Sequence, residues 1–186
     1  LDKFTERWYN IIMLKSIVID NFFEDINEIY NYVKTLETFN SKNYPNDPNV
    51  NTAKIDWPGY RSNQLAGKDV WLTNKFGNAF RKHLTGLITG QFQLHMFSHL
   101  RLDEHNEADF IHNDSPHIYS MLVYLSPTNL NSGTNLYNEN DEMITSFKFV
   151  QNRAVLFSSS YKHKAINNHG TDVNDGRLTL NIFMDK

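Results

Sequence analysis

The chain changes its period at Gly90. Before that point two segments carry apolar residues every three or four positions, and directly after it the apolar residues recur every two. The stretch QFQLHMFSHLRL (91–102) sets Phe92, Leu94, Met96, Leu100 and Leu102 against Gln91, Gln93, His95, His99 and Arg101. Further strand-like runs follow: FIHND, HIYSMLVYLSP, GTNLY, MITSFKFV, RAVLFS, HKAIN and RLTLNIFM. Turn chemistry separates them at Asn131-Ser132-Gly133, at Asn138 to Asp141 and at Asn174-Asp175-Gly176. Upstream, KSIVIDNFF (15–23) reads as a short buried strand, and the following segment carries Ile26, Ile29, Val33 and Leu36 on one helical face. A second amphipathic helix is expected over 69–88, burying Leu72, Phe76, Ala79, Phe80, Leu84 and Leu87. Two helices followed by many short strands imply a mainly β fold with N-terminal helices. The expected form is a double-stranded β-helix, a cupin-like jelly roll buttressed by the two amphipathic helices.

A chain of 186 residues is large enough for one self-sufficient core. Residues 1–12 precede Met13 and read as an upstream extension or cloning remnant, leaving 13–186 as a single domain. Within it, the polar stretch 40–65 is too long for an ordinary connector and reads as a surface excursion or a lid. With no cysteine, disulfides, thiolate zinc sites, iron–sulfur clusters and cysteine nucleophiles are excluded. A net charge of −3 with scattered Lys and Arg argues against a nucleic-acid partner or an anionic membrane surface. No run is long and apolar enough to span a bilayer, and the start lacks a signal-peptide pattern, so a cytoplasmic protein is expected.

The chemistry concentrates in ADFIHNDSPH (108–117). On a strand, His112 and Asp114 would share a face. About fifty residues later, RAVLFSSSYKHKAI supplies an apolar strand, a small polar turn and then His163, which a barrel wall could return beside them. Two imidazoles and one carboxylate on one face form the facial triad of non-haem Fe(II) sites. GRLTLNIF then places Arg177 and Thr179 on one face of a late strand. A guanidinium buried in a barrel needs an anion, and a dicarboxylate matches its fork. The plainer alternatives are a polar turn pair for His112 and Asp114, a structural ion pair for Arg177, and a core position for Tyr124. His83, His95, His99, His105 and His117 read as hydrogen-bonded or solvated residues, with His105 in the polar run RLDEHNEAD, a solvated loop. His99 and Arg101 either sit on a solvated face or touch substrate. Trp57, Tyr60 and Arg61 are either a packed loop anchor or part of a substrate lid.

The ordered set H-x-D, then F-x5-H, then R-x-T resembles the Fe(II)/2-oxoglutarate-dependent oxygenases. Within them it is similar to the small prolyl-4-hydroxylase-like branch of marine bacteria and phages. FIHND, MLVYLSP with SGTNLY, NRAVLFSSSYKHKAI and the WPGYRS loop carry the likeness, which covers roughly residues 15–186. The resemblance implies that His112, Asp114 and His163 hold Fe(II) and form the catalytic centre. Arg177 would pair with the distal carboxylate of 2-oxoglutarate, with Thr179 and Tyr124 bonding the same group and Leu122 packing on the chain of the cosubstrate. His169 is a second possible ligand; His163 is preferred because it follows the strand VLF directly. Dioxygen would be the co-reactant and ascorbate an external reductant. Retention of Asp114 favours hydroxylation over halogenation. The implied partners are the small-molecule cosubstrate and a substrate that is a peptide residue such as proline, a free amino acid or another metabolite. Two rivals remain open: a cupin-type metalloenzyme without 2-oxoglutarate, and a non-catalytic jelly-roll binding or virion module.

Overall fold

The computed structural model describes residues 16–45 and 57–186; residues 1–12 and the middle of the 40–65 excursion lie outside the described residues. The elements in chain order are β1 (Ser16–Ile19), α1 (Ile26–Val33), β2 (Thr38–Phe39), β3 (Tyr60–Ser62), α2 (Val70–Leu84), β4 (Gln93–Arg101), β5 (Tyr119–Tyr124), β6 (Asn129–Tyr137), β7 (Met143–Phe149), β8 (Ala154–Ser158), β9 (Lys162–Ile166) and β10 (Arg177–Asp185). They form a seven-stranded sheet in the order β1-β8-β5-β10-β4-β3-β2 and a three-stranded sheet in the order β7-β6-β9. Every pairing is antiparallel. The result is mainly β and jelly-roll-like.

The period-two pattern sorts each central strand between two interiors. Met121 and Val123 of β5, Leu156 of β8 and Leu178, Leu180, Ile182 and Met184 of β10 pack with Ile29, Val33, Leu72, Phe76 and Leu84 of the helices. The alternate residues Leu122, Tyr124, Val155 and Phe157 face the small sheet, where they meet Leu136, Phe147 and Phe149. Removing each such side chain from water contributes about 1.5–3 kcal/mol. Both faces of the large sheet are therefore covered, which determines where its polar side chains end up.

The two helices are shorter than their apolar patterns. α1 ends at Val33, and Leu36 packs beyond it as a half-buried residue. At the start of α2, the Asp69 carboxylate accepts from the Leu72 N–H and from the Tyr32 hydroxyl. The helix stops at Leu84, where Thr85 turns to φ −58°, ψ 127°. Leu87, expected on the buried side, is 56% exposed because the helix has ended before it. Asn131-Ser132-Gly133 is not a turn; it is an irregular stretch inside β6. Gly133 is required there, since a Cβ would lie 2.1 Å from the Phe147 carbonyl oxygen. The described end of the 40–65 excursion is not loop either. Tyr60–Ser62 forms β3, pairing with β4 so that Arg61 lies opposite His99.

Candidate metal centre

His112 and Asp114 do not lie on a strand. The segment leading to β5 is irregular, and His112 makes a single antiparallel bridge to His163. The His112 N–H donates to the His163 carbonyl at 3.1 Å, and the His163 N–H returns the bond at 2.7 Å. Asp114 is fixed by its N–H to the Ser159 carbonyl, 3.0 Å away. Strand-like spacing is therefore not what brings the side chains together. What joins the side chains is the bridge to β9.

The His163 Nε2 lies 3.4 Å from Asp114 Oδ2 and the His112 Nε2 lies 3.9 Å from Asp114 Oδ1. One ligand atom from each of the three residues falls within 4.8 Å of the others. Both imidazoles approach a main-chain carbonyl two residues upstream with Nδ1, His112 to Phe110 at 3.0 Å and His163 to Tyr161 at 3.3 Å. Donation there from Nδ1–H fixes the tautomer that turns the Nε2 lone pair toward Asp114. Burial and the neighbouring His163 hold the His112 pKa below its usual value, which favours the neutral ligand form. Ser120 donates to Asp114 Oδ2 at 2.6 Å and orients the carboxylate. His169 is placed elsewhere, edge-on to Phe149 at 5.6 Å.

This triad opens on a cavity lined also by Leu122, Thr134, Arg177, Asn181 and Phe183, with Arg61, His99 and Arg101 on the same walls. Arg177 is 3% exposed, and no carboxylate lies within 4 Å of it among the described residues. Its Nη2 donates to Thr134 Oγ1 at 3.1 Å and to the Gly133 carbonyl at 3.3 Å, while its buried Nε has no partner. Burial lowers its pKa to about 10. Tyr124 lies beneath the guanidinium, 5.7 Å from ring centroid to Cζ, and its hydroxyl donates to the same Thr134 oxygen at 2.9 Å. Thr179 is wholly buried, and its hydroxyl reaches Asn181 Oδ1 at 2.7 Å.

His99 and Arg101 are not on a solvated face. Both are buried, because the polar face of β4 turns into the space between the two sheets. The His99 Nε2 meets the Pro58 carbonyl at 2.8 Å and its Nδ1 meets Asn181 Nδ2 at 3.3 Å. Desolvation, reinforced by Arg61 and Arg101, holds its pKa well below the usual value. Arg101 pairs with the buried Asp109, the second residue of ADFIHNDSPH, which the sequence alone does not single out. The run around His105 is correspondingly only partly solvated: His105 Nδ1 accepts from the Leu102 N–H. Arg61 stacks on Trp57 at 4.7 Å, and its buried Nε has no partner; desolvation lowers its pKa to about 10. Tyr60 points the other way, into the helix-side core. Asn181, Phe183 and Thr134 were also missed. The signal for the first two was available, since R-x-T-x-N-x-F continues the period of β10.

Two histidines read as solitary are not. His95 and His117 converge on Asp185, forming a second His/His/Asp group.

No family model and no curated protein sequence matches this chain. Solved structures do. A 2OG-Fe(II) oxygenase family oxidoreductase from Burkholderia pseudomallei matches with a TM-score of 0.61 and 10% identity, over 92% of this chain and 84% of its own. SnoN, a non-haem α-ketoglutarate-dependent epimerase of nogalamycin biosynthesis, matches at 0.62 and 10%, over 92% and 78%. A Trichoplax adhaerens prolyl hydroxylase, solved with a peptide fragment of hypoxia inducible factor, matches at 0.51 and 13%, over 91% and 83%.

Proposed function

We propose that this chain, which has the fold of the 2-oxoglutarate/Fe(II) oxygenases and prolyl hydroxylases, is a non-haem iron dioxygenase that couples 2-oxoglutarate decarboxylation to hydroxylation of a substrate. In this reading its two antiparallel sheets would be the two halves of a double-stranded β-helix. The observation that carries the reading is one cavity holding both a His/Asp/His triad and a buried guanidinium with no acid partner. A buried unpaired cation is costly, and a carboxylate relieves it through paired, charge-assisted hydrogen bonds.

His112, Asp114 and His163 would hold the iron, two neutral nitrogens and one anionic oxygen of the type that suits it. Arg177 would bind the distal carboxylate of 2-oxoglutarate, with Thr134 and Tyr124 setting the position of the guanidinium and Leu122 packing beside the cosubstrate chain. Thr179 holds Asn181 in place at the base of the same wall. Together the iron and 2-oxoglutarate would supply dioxygen activation, with succinate and carbon dioxide as coproducts, and ascorbate would serve as external reductant. The protein's own part is orientation and the exclusion of water, through the Phe183, Leu122 and Ala165 walls. Arg61 is the cation left to face substrate, because Arg101 is neutralised by Asp109. A peptide side chain such as proline, a free amino acid or a small metabolite all remain within this reading.

The test is product analysis. With no substrate supplied, ascorbate takes the place of the C–H bond as reductant: the protein with Fe(II), 2-oxoglutarate, ascorbate and air should form succinate, and His163→Ala should abolish it. Iron-dependent oxygen consumption without succinate would instead favour a cupin-type enzyme that does not use 2-oxoglutarate.

A further inference from the structure

We propose that His95, His117 and Asp185 form a second divalent-cation site, beside the cavity, that takes a zinc-like ion. The three residues come from β4, from the turn before β5 and from the end of β10, so only the folded chain assembles them. The Asp185 carboxylate is held between the rings: Oδ2 is 3.1 Å from His95 Nε2 and Oδ1 is 2.8 Å from His117 Nδ1. The ring centroids are 5.6 Å apart. One ligand atom from each residue lies within 4.8 Å of the other two.

The geometry is close to that of a metal site. Ligand atoms bonded to zinc at about 2.0–2.2 Å in a tetrahedron sit roughly 3.3 Å apart. The carboxylate already spans the two rings, one oxygen to each at 2.8 and 3.1 Å, spacings that would open slightly as an ion replaces the shared protons. Charge points the same way. Among the described residues the two imidazoles are the only ion-pair partners of Asp185, and no Lys or Arg lies within 4 Å of it. The carboxylate therefore has no permanent cation. Two imidazoles and one carboxylate suit first-row ions such as zinc, whereas calcium and magnesium require oxygen ligands. The side chains are 26%, 28% and 30% exposed, which leaves a path for the ion and room for a water in the fourth position.

An ion there would act on the neighbouring cavity. The His117 ring stacks on Phe183 at 4.9 Å and 23°, and Phe183 lines the cavity wall. The His117 N–H also donates to the Asp114 carbonyl at 3.1 Å. Bound metal would thus pin the end of β10 to β4 and to the turn that carries Asp114, making it a positioning ion.

The test counts zinc ions on the full chain after chelator treatment, with zinc alone as the probe. Calorimetry should give two equivalents for the unaltered protein and one for His112→Ala/Asp114→Ala. His95→Ala/Asp185→Asn should also give one, and the combined variant none. A single equivalent lost in His112→Ala/Asp114→Ala and untouched by His95→Ala/Asp185→Asn overturns the proposal. A single equivalent with the opposite dependence supports it and contradicts the iron-site reading instead. Should the double variants fail to fold, native mass spectrometry of the unaltered protein and His95→Gln decides. Two ions against one supports the site, and equal counts overturn it.

Discussion

The molecule carries the same three ligand types twice, and the two sets are built differently. In the His112/Asp114/His163 set, each imidazole anchors its Nδ1 to a main-chain carbonyl and the carboxylate is oriented by Ser120, leaving both Nε2 atoms free to face a common point. In the His95/His117/Asp185 set, the rings bond the carboxylate directly, one through Nε2 and one through Nδ1. The first set opens on a cavity with an unpaired guanidinium, and the second lies beside it, behind the wall residue Phe183, with its side chains partly exposed. Ligand identity alone would therefore not distinguish the proposed catalytic centre from the proposed second ion site. Orientation of the rings and the charge of the adjoining cavity would.

The largest effect expected from breaking this contrast is at the first set. His163→Ala or Asp114→Asn should abolish iron-dependent succinate formation, measured by product analysis, while zinc retained at the second set is read by native mass spectrometry. Next comes Arg177→Ala, which removes the cation from a buried, charge-assisted contact worth roughly 2–5 kcal/mol. The apparent affinity for 2-oxoglutarate should fall by about 30-fold or more, measured as KM, with the zinc count unchanged.

These two effects fall on residues that the sequence made legible, and the physical reasons are instructive. The short runs between turn signals located β5 to β10, and the alternating run 91–102 located β4, since a strand with two distinct faces records them as alternation. The same rule offered a solvated face for His99 and Arg101, because alternation reports two environments without saying which is water. Here the second environment is the space between sheets. β2 and β3 were invisible, as two and three residues carry no period. The second triad was illegible for another reason: its partners are 90 and 68 positions apart, and only the strand order brings them together.

A smaller effect tests the orientation argument. Ser120→Ala removes the hydroxyl that donates to Asp114, and loss of such a support typically weakens metal binding by about 10–100-fold. Iron affinity measured by competition should drop accordingly, whereas the second site, which has no equivalent donor to Asp185 among the described residues, should be indifferent.

The smallest effect is on stability against pH. His99 is held neutral in the folded state, with its pKa depressed mainly by burial. Its unfolded form binds a proton below the usual value of 6.5, so stability present above that pH is lost as the pH falls beneath it. One such group contributes a slope of at most about 1.4 kcal/mol per pH unit. Denaturant melts between pH 7 and 5 should show a shallower slope in His99→Gln than in the unaltered protein.

The most direct measurement is anaerobic titration of 2-oxoglutarate into the Fe(II)-loaded protein, followed by visible absorption. A metal-to-ligand charge-transfer band should appear in the unaltered protein and persist in His95→Gln. It should require much more 2-oxoglutarate in Arg177→Ala and be absent in His163→Ala. Iron bound at His112, Asp114 and His163 with no band at any 2-oxoglutarate concentration would contradict the account.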